Sequence, residues 1–133
     1  MTTNTNDMKY KYLILIVALL LIPAAAAAQN AKQVARELVR QGVPHAQIVL
    51  AQARLETGNF QSDRCKRDHN LFGIKHKGRY ARYARWQDSV ADYKACISSR
   101  YKGGCYYKFL ERIGYASDTR YPDKVRRIVE TSK

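Results

Sequence analysis

Residues 50–76 read LAQARLETGNFQSDRCKRDHNLFGIKH, and they place Glu56 among apolar positions just before the chain breaks at Gly58 and Asn59. In a helix of about 100° per residue, Glu56 shares one face with apolar side chains, whereas Arg54 lies on the other side. That face contains Ile48, Val49, Gln52, Ala53, Leu55 and Glu56. We therefore predict that Glu56 points inward at the lip of a loop.

A carboxyl group at the apolar end of a helix loses hydration, which disfavours its charged form and raises its pKa. A raised pKa is what a general acid needs to protonate a leaving oxygen near neutral pH. The structural alternative is that the Glu56 carboxylate accepts hydrogen bonds from loop amides and caps the turn at residues 58–60. The pattern therefore indicates either a catalytic acid or a capping group.

We predict two helices in this region, one that precedes Glu56 and one that contains it near its end. The first covers residues 31–40, where apolar residues recur with helical spacing and Gly42 ends the run. The second has Pro44 at an early position and runs to about Thr57, because Gly58 supplies a stop signal.

Residues 58–77 lack sustained periodicity, and we predict loops there with a short ordered turn at HNLFGIKH, residues 69–76. The segment GRYARYARW, residues 78–86, predicts a short strand or hairpin. Helical spacing returns in three later segments, residues 89–101, 106–113 and 123–130. The apolar face of the first contains Val90, Tyr93, Ala95 and Ile97. The predicted fold class is mainly α (α+β), a helical body with a small loop-rich or hairpin middle lobe.

The first residues are typical of an export signal rather than of a folded domain. Lys9 and Lys11 precede an apolar run, residues 13–28, that ends in an alanine-rich cleavage zone. The run is shorter than the roughly 18 to 20 residues that span a bilayer. We therefore predict a signal peptide at residues 1–28 and one domain at residues 29–133, with an uncleaved membrane anchor as the alternative. Export implies the periplasm or the extracellular space, which the sequence does not separate.

The formal net charge of +13 favours an anionic partner such as a cell wall, lipid headgroups or nucleic acid. The basic, tyrosine-rich segment KHKGRYARYARW, residues 75–86, fits a glycan groove, single-stranded nucleic acid or a solvated surface. The predicted export argues against nucleic acid. We therefore expect glycan strands as the partner, peripheral contact with an anionic envelope surface, and a monomer.

The chain has three cysteines, Cys65, Cys96 and Cys105. In an oxidising compartment we expect two of them to form a disulfide, and the sequence does not choose the pair. There is no Cys-x-x-Cys motif, and the histidines have no partner ligands at metal-binding spacing along the chain. We therefore expect neither a metal nor an organic cofactor.

Four blocks of sequence, taken in order, resemble the glucosaminidase domain of glycoside hydrolase family seventy-three, which includes bacterial autolysins and a flagellar peptidoglycan hydrolase. The blocks are AQARLETGNF (51–60), HNLFGIKH (69–76), YARWQDSVADY (83–93) and GYASDTRYPDKV (114–125). The resemblance implies a lysozyme-like, mainly α fold. It also implies hydrolysis of the β-1,4 bond after N-acetylglucosamine in peptidoglycan.

Glu56 falls on the catalytic acid of this family's Glu-Ser-Gly motif, so the resemblance implies that Glu56 donates the proton. Asn70, Phe72 and Gly73 fall on its Asn-Leu-Phe-Gly motif, which lies beside the substrate groove. The residues themselves leave two alternatives open. Asn70 also suits a turn in which the side chain bonds its own backbone, and Phe72 also suits the core.

Tyr115, Asp118 and Tyr121 match the family's Tyr-Ala-Thr-Asp-x-x-Tyr motif, whose last tyrosine borders the active site. Tyr121 fits a platform for a sugar ring, because a tyrosine offers an apolar face and a hydroxyl group. Tyr115 fits packing better than sugar contact.

The second catalytic group is less defined. Glycosidases with two carboxylates hold them about 5 to 5.5 Å apart for retention, or about 6.5 to 9.5 Å apart for inversion. Asp88 is our choice, and Asp92 is the other candidate. Alternatively, the substrate's acetamido group attacks the anomeric carbon, or a lone acid acts as a lytic transglycosylase. The family usually follows its acidic motif with Trp-Gly where this chain has Asn59 and Phe60, so an inactive wall-binding module is also a candidate.

Overall fold

The computed structural model describes residues 30–133. The predicted signal peptide at residues 1–28 lies outside the described residues and stays a prediction. Within residues 30–133, no helix is long and apolar enough to cross a membrane.

The described chain folds into six α-helices and one two-stranded antiparallel sheet. The elements are α1 (Ala31–Arg40), α2 (Ala46–Thr57), α3 (Asp63–Asp68), β1 (Lys75–His76), β2 (Arg79–Tyr80), α4 (Trp86–Cys96), a 3-10 turn (Ser98–Arg100), α5 (Tyr106–Arg112) and α6 (Tyr121–Thr131). This confirms the predicted fold class, a mainly helical, lysozyme-like domain with a small hairpin lobe.

Helix α1 has the predicted bounds. Asn30 begins it through a capping box, in which its side chain accepts from the Gln33 backbone and Gln33 reaches back to the Asn30 amide. Val34 and Leu38 are fully buried, which contributes roughly 1.5 to 3 kcal/mol for each side chain.

Helix α2 begins at Ala46, so the prediction that Pro44 occupies an early position in this helix is wrong. His45 precedes the helix with φ at 52°, and this left-handed residue separates Pro44 from the first turn. The predicted end is confirmed, because Gly58 adopts φ 56° and its amide hydrogen bonds to the Arg54 carbonyl.

The prediction of loops over residues 58–77 is wrong for Asp63–Asp68, which form helix α3. The Ser62 side chain caps it by accepting from the Cys65 amide at 3.2 Å, and Asp63 lies in the first turn, where a negative charge is favourable. The buried carboxylate of Asp68 ends it in a salt bridge to Arg67. A helix of about one and a half turns is too short to show a hydrophobic period, so its N-cap is its one sequence signal.

The hairpin pairs Lys75 with Tyr80 and His76 with Arg79. Its two turn residues, Lys77 and Gly78, have φ of 51° and 74°. Two positive φ angles are the signature of a type I′ turn, which matches the right-handed twist of the strands. The prediction of a strand or hairpin is confirmed for β2, whereas its partner β1 lies just before the predicted segment.

Helix α4 starts and ends earlier than predicted. Val90 and Tyr93 are buried as expected and Ile97 packs against the core, but Ala95 is exposed. The expectation for Ala95 is wrong because, at about 100° per residue, Ala95 lies roughly 140° around the helix from Val90 and so faces away from the core.

The core lies where α2 packs against both α1 and α6 and where aromatic side chains fill the space around α4 and α5. The largest fully buried side chains include Tyr93, Tyr106, Phe72, Phe109, Leu38 and Leu71. This body supports the end of α2, which carries Glu56.

Candidate active site

A cleft of about 650 Å³ runs between the helical body and the hairpin. Glu56 stands on one side, and Lys75, His76 and Tyr80 from the hairpin form another. The end of α4 and the loop 113–117 complete the walls. No carboxylate other than Glu56 lines this cleft in the described part of the chain.

Glu56 lies in the last turn of α2, and its side chain opens into the cleft rather than into the core. The prediction that Glu56 points inward is therefore wrong, because the residue is exposed. Its neighbours Gln52, Ala53 and Thr57 take the buried positions on that face. A β-carbon on Gly73 would lie 3.1 Å from Glu56 Oε2, so the carboxyl group is packed tightly against the turn that carries Gly73.

Burial raises the pKa of the Glu56 carboxyl, and this effect outweighs a hydrogen bond from Tyr121 and the charge of Arg64, both of which lower it. Much of the side chain borders open cleft, but protein atoms crowd the carboxyl group itself, and this crowding removes hydration from the charged form. The expected direction of the pKa shift is thus present, and it favours the proton-carrying form that a general acid needs.

A chain of buried hydrogen bonds leads from the core to this carboxylate. The Tyr106 and Tyr93 hydroxyls lie 2.9 Å apart, and Tyr93 donates to the Gln52 side-chain oxygen at 2.6 Å. The Gln52 amide then donates to the Tyr121 hydroxyl at 3.2 Å, and Tyr121 is hydrogen bonded to Glu56. This chain fixes the Tyr121 hydroxyl beside the Glu56 carboxyl, whose pKa it lowers.

Tyr121 is only 6% exposed, so its ring is part of the core and offers no face to a sugar. It contributes its hydroxyl instead. Tyr115 lies beside it, with ring centroids 5.3 Å apart, and of these two tyrosines it is Tyr115 that lines the cleft. The Tyr115 hydroxyl donates to the Phe72 carbonyl at 2.8 Å, which ties the loop after α5 to the turn at residues 70–74.

Asn70 is buried and organises this turn. Its side-chain oxygen accepts from the Ile74 amide at 3.0 Å, and its amide group donates to the carbonyls of Ile74 and Ala81 at 2.9 and 3.0 Å. Phe72 is 2% exposed and packs on Tyr93, with ring centroids 4.5 Å apart. Asn70 therefore acts as a turn residue whose side chain bonds the backbone, which was the alternative to substrate contact. Phe72 belongs to the core but also borders the cleft.

Asp88 is not brought to the cleft. It lies in the first turn of α4, pairs with Arg85 at 3.2 Å, and lines a separate shallow depression with Arg40 and Lys94. Its side chain therefore contributes nothing to the walls around Glu56.

Asp92 stands behind the hairpin wall rather than in the cleft. Its Oδ2 accepts from the Tyr83 hydroxyl at 2.5 Å and lies 2.6 Å from His76 Nε2, and its Oδ1 accepts from Cys96 Sγ at 3.0 Å. Burial raises the pKa of Asp92, but the hydrogen bonds from Tyr83, Cys96 and His76 lower it by more. The carboxylate is thus held in its charged form and is engaged by three partners.

Three residues of the site were not predicted individually from the sequence. The Tyr80 ring is 40% exposed on the cleft wall, with the Arg64 guanidinium carbon 3.5 Å and Lys75 Nζ 4.5 Å from its centroid. Hydrogen bonding and charge from Arg64, with a smaller effect of Lys75, lower the pKa of Tyr80. The segment KHKGRYARYARW predicts a glycan groove in this region. No sequence signal predicts that Arg64 lies at the site.

Cys96 and Cys105 are exposed, and neither is in a disulfide, so within residues 30–133 the expected disulfide is not formed between them. Cys65 is fully buried. His76, Asp92 and Cys96 place one ligand atom each within 4.8 Å of one another, which could hold a metal ion. Sequence spacing did not suggest this group because His76 comes from a strand and the other two residues come from a helix.

A mainly helical body and a hairpin lobe, with a cleft between them, form a lysozyme-like fold. The family model for mannosyl-glycoprotein endo-beta-N-acetylglucosaminidase matches residues 28–133, so this chain belongs to the glucosaminidase family. A comparison with curated proteins gave no match. The family supports a hydrolase of the glucosaminidase type with peptidoglycan as its substrate.

Proposed function

We propose that this protein cleaves the β-1,4 bond after N-acetylglucosamine in peptidoglycan, with Glu56 as the proton donor. The observation that carries the proposal is the position of Glu56, the cleft's one carboxylate among residues 30–133, in surroundings that raise its pKa. A carboxylic acid that retains its proton near neutral pH can protonate the glycosidic oxygen as the bond breaks.

The neighbours of Glu56 suit both of its protonation states. Before the reaction, crowding at Gly73 favours the neutral acid. After proton transfer, the Tyr121 hydroxyl and the positive charge of Arg64 stabilise the carboxylate that remains. The side chain can therefore release a proton without being left as an isolated buried charge.

A second carboxylate is not required in this proposal. Asp88 lies in a different depression and Asp92 is engaged behind the wall, so neither is available to the anomeric carbon. We propose that the acetamido group of the substrate attacks this carbon and that water then opens the intermediate, as in substrate-assisted glycosidases. Glu56 would donate a proton in the first step and accept one from water in the second.

The single acid also favours one alternative reaction, that of a lytic transglycosylase. In that reaction the 6-hydroxyl of a muramic residue attacks its own anomeric carbon, and the product carries an anhydromuramic end. The proton donor is the same, so only the products separate the two reactions.

The glycan would be held by the hairpin wall. The exposed Tyr80 ring, flanked by Arg64 and Lys75, offers an apolar surface for a sugar and cations for carboxylates of the stem peptides. Arg100 adds a further cation to the same cleft. We also propose that the protein is exported and acts in the periplasm or outside the cell, on the strength of residues 1–28.

The test is digestion of purified peptidoglycan by the wild type and by Glu56→Gln, with mass spectrometry of the released fragments. Glu130→Gln, at an exposed position on α6, is the matched control. Reducing N-acetylglucosamine ends made by the wild type and the control, and lost in Glu56→Gln, would support the proposal. Anhydromuramic ends would indicate a transglycosylase. Binding to the wall without fragments, over a broad pH range, would indicate an inactive wall-binding module.

A further inference from the structure

His76, Asp92 and Cys96 form a cluster that the proposed reaction does not use. Asp92 and Cys96 are four residues apart on α4, so their side chains project from the same face of the helix. His76 comes from β1 of the hairpin and approaches that face from the side of the cleft. The cluster therefore joins the two-stranded hairpin to a helix of the body.

The distances suit a small metal ion. His76 Nε2 lies 2.6 Å from one Asp92 oxygen, Cys96 Sγ lies 3.0 Å from the other, and all ligand atoms lie within 4.8 Å of one another. In a tetrahedral zinc site, bonds of about 2.0 to 2.3 Å place the ligand atoms roughly 3.3 to 3.8 Å apart. Side-chain adjustments of less than about 1 Å would thus convert these hydrogen bonds into ligand bonds.

The ligand types favour zinc. A thiolate is a soft donor, an imidazole is borderline and a carboxylate is hard. Zn²⁺ accepts all three, whereas Mg²⁺ and Ca²⁺ prefer oxygen ligands alone. Three protein ligands leave one tetrahedral position for water. The Tyr83 hydroxyl already holds the Asp92 carboxylate at 2.5 Å, as the outer partners of metal ligands do.

We propose that His76, Asp92 and Cys96 bind one Zn²⁺ ion that fastens the hairpin to α4 at the wall of the cleft. Cys96 binds as the thiolate, and the proton that it shares with Asp92 leaves to the solvent. The ion sets the position of the wall that carries Tyr80, and water fills its fourth position. Because it rests on the geometry of the chain alone, it does not depend on the proposed reaction.

The test is titration of the full chain with ZnCl₂ and with Co²⁺, in a reducing buffer and without a histidine tag. We expect one equivalent of Zn²⁺ to bind with a dissociation constant of micromolar or tighter. Co²⁺ should give a sulfur-to-cobalt charge-transfer band in the near ultraviolet. Cys96→Ser should remove this band and weaken Zn²⁺ binding at least tenfold, and His76→Gln should also weaken binding.

Cys105→Ser is the matched control, because Cys105 is the other exposed thiol and lies outside the cluster. It should bind Zn²⁺ like the wild type. Tyr83→Phe should weaken binding by about tenfold through Asp92. Zn²⁺ should raise the Tm of the wild type and of Cys105→Ser but not of Cys96→Ser, and circular dichroism of each variant would verify its fold. The proposal is overturned if the wild type binds no stoichiometric Zn²⁺, or if binding survives Cys96→Ser unchanged.

Discussion

Gly73 leaves little room for a β-carbon beside the carboxyl group of Glu56. A β-carbon at Gly73 would lie 3.1 Å from Glu56 Oε2 and 3.7 Å from its carboxyl carbon, and Gly73 also has φ of 65°. Two independent reasons thus require glycine here, a left-handed backbone and a close approach to the acid. The turn that carries Gly73 therefore limits the positions open to the proposed proton donor.

We expect Gly73→Ala to reduce kcat by up to about tenfold, because the added methyl group displaces the Glu56 carboxyl by a few tenths of an ångström, and a misplacement of about 1 Å costs about a hundredfold. Gly78→Ala is the matched control. Gly78 has φ of 74°, but a β-carbon there meets nothing within 4 Å. Both variants should lose roughly 1 to 3 kcal/mol of stability from backbone strain. Equal activity of the two variants would contradict a positioning role for Gly73.

Tyr121→Phe should move the alkaline limb of the kcat/KM profile to higher pH. The hydroxyl of Tyr121 favours the charged form of Glu56, so its removal raises the pKa of the acid further. Rates at the optimum should fall by no more than about tenfold, the worth of one hydrogen bond. Tyr107→Phe, on a ring that lies against Arg126, is the control, and it should leave the limb unchanged.

Arg64→Gln should shift the same limb in the same direction, since the positive charge of Arg64 lowers the pKa of Glu56. The shift should shrink as salt is added, because the interaction is coulombic. Arg36→Gln changes the net charge equally on the exposed side of α1 and serves as the control. A limb that moves as far in Arg36→Gln would attribute the effect to net charge rather than to Arg64.

Stability should depend on pH through Glu56. Its folded-state pKa is raised, so its contribution to stability is fully present below the unfolded pKa and is lost as pH rises through the folded pKa. The Tm of Glu56→Gln minus that of the wild type should therefore become more positive between about pH 4 and pH 7. A difference that stays constant or falls over this range would mean that the pKa is not raised.

Asn70→Ala should destabilise the domain by about 2 to 3 kcal/mol, as measured by urea unfolding. The substitution leaves the buried carbonyls of Ile74 and Ala81 and the Ile74 amide without their side-chain partner. A role in substrate binding alone would instead raise KM and leave the unfolding curve unchanged.

The main elements of the fold could be predicted because each has a local signal in the sequence. The helical period and Gly42 set the end of α1, and Gly58 set the end of α2. Helix α3 could not be predicted in this way, since its six residues are too few for a period. The start of α2 was misplaced because the left-handed conformation of His45 leaves no signal in the residue type.

The candidate site was predictable only in part. The position of Glu56 before a helix stop, together with the resemblance to the family motif, predicts the candidate acid. The choice of Asp88 relied on its place after the hairpin, and the fold turns that residue to another surface. Arg64 was missed because a surface arginine looks the same in sequence whether or not it lies near a carboxylate.

The sequence by itself determined the helical body, the acid at the end of α2 and the family, because hydrophobic period, stop residues and ordered motifs are local properties of the chain. Only the tertiary structure decided which groups surround Glu56, and which residues, such as His76 and Cys96, meet across the hairpin and α4. The physical reason is that desolvation, hydrogen bonding and metal coordination act over a few ångströms in space. Separation along the chain does not report such distances.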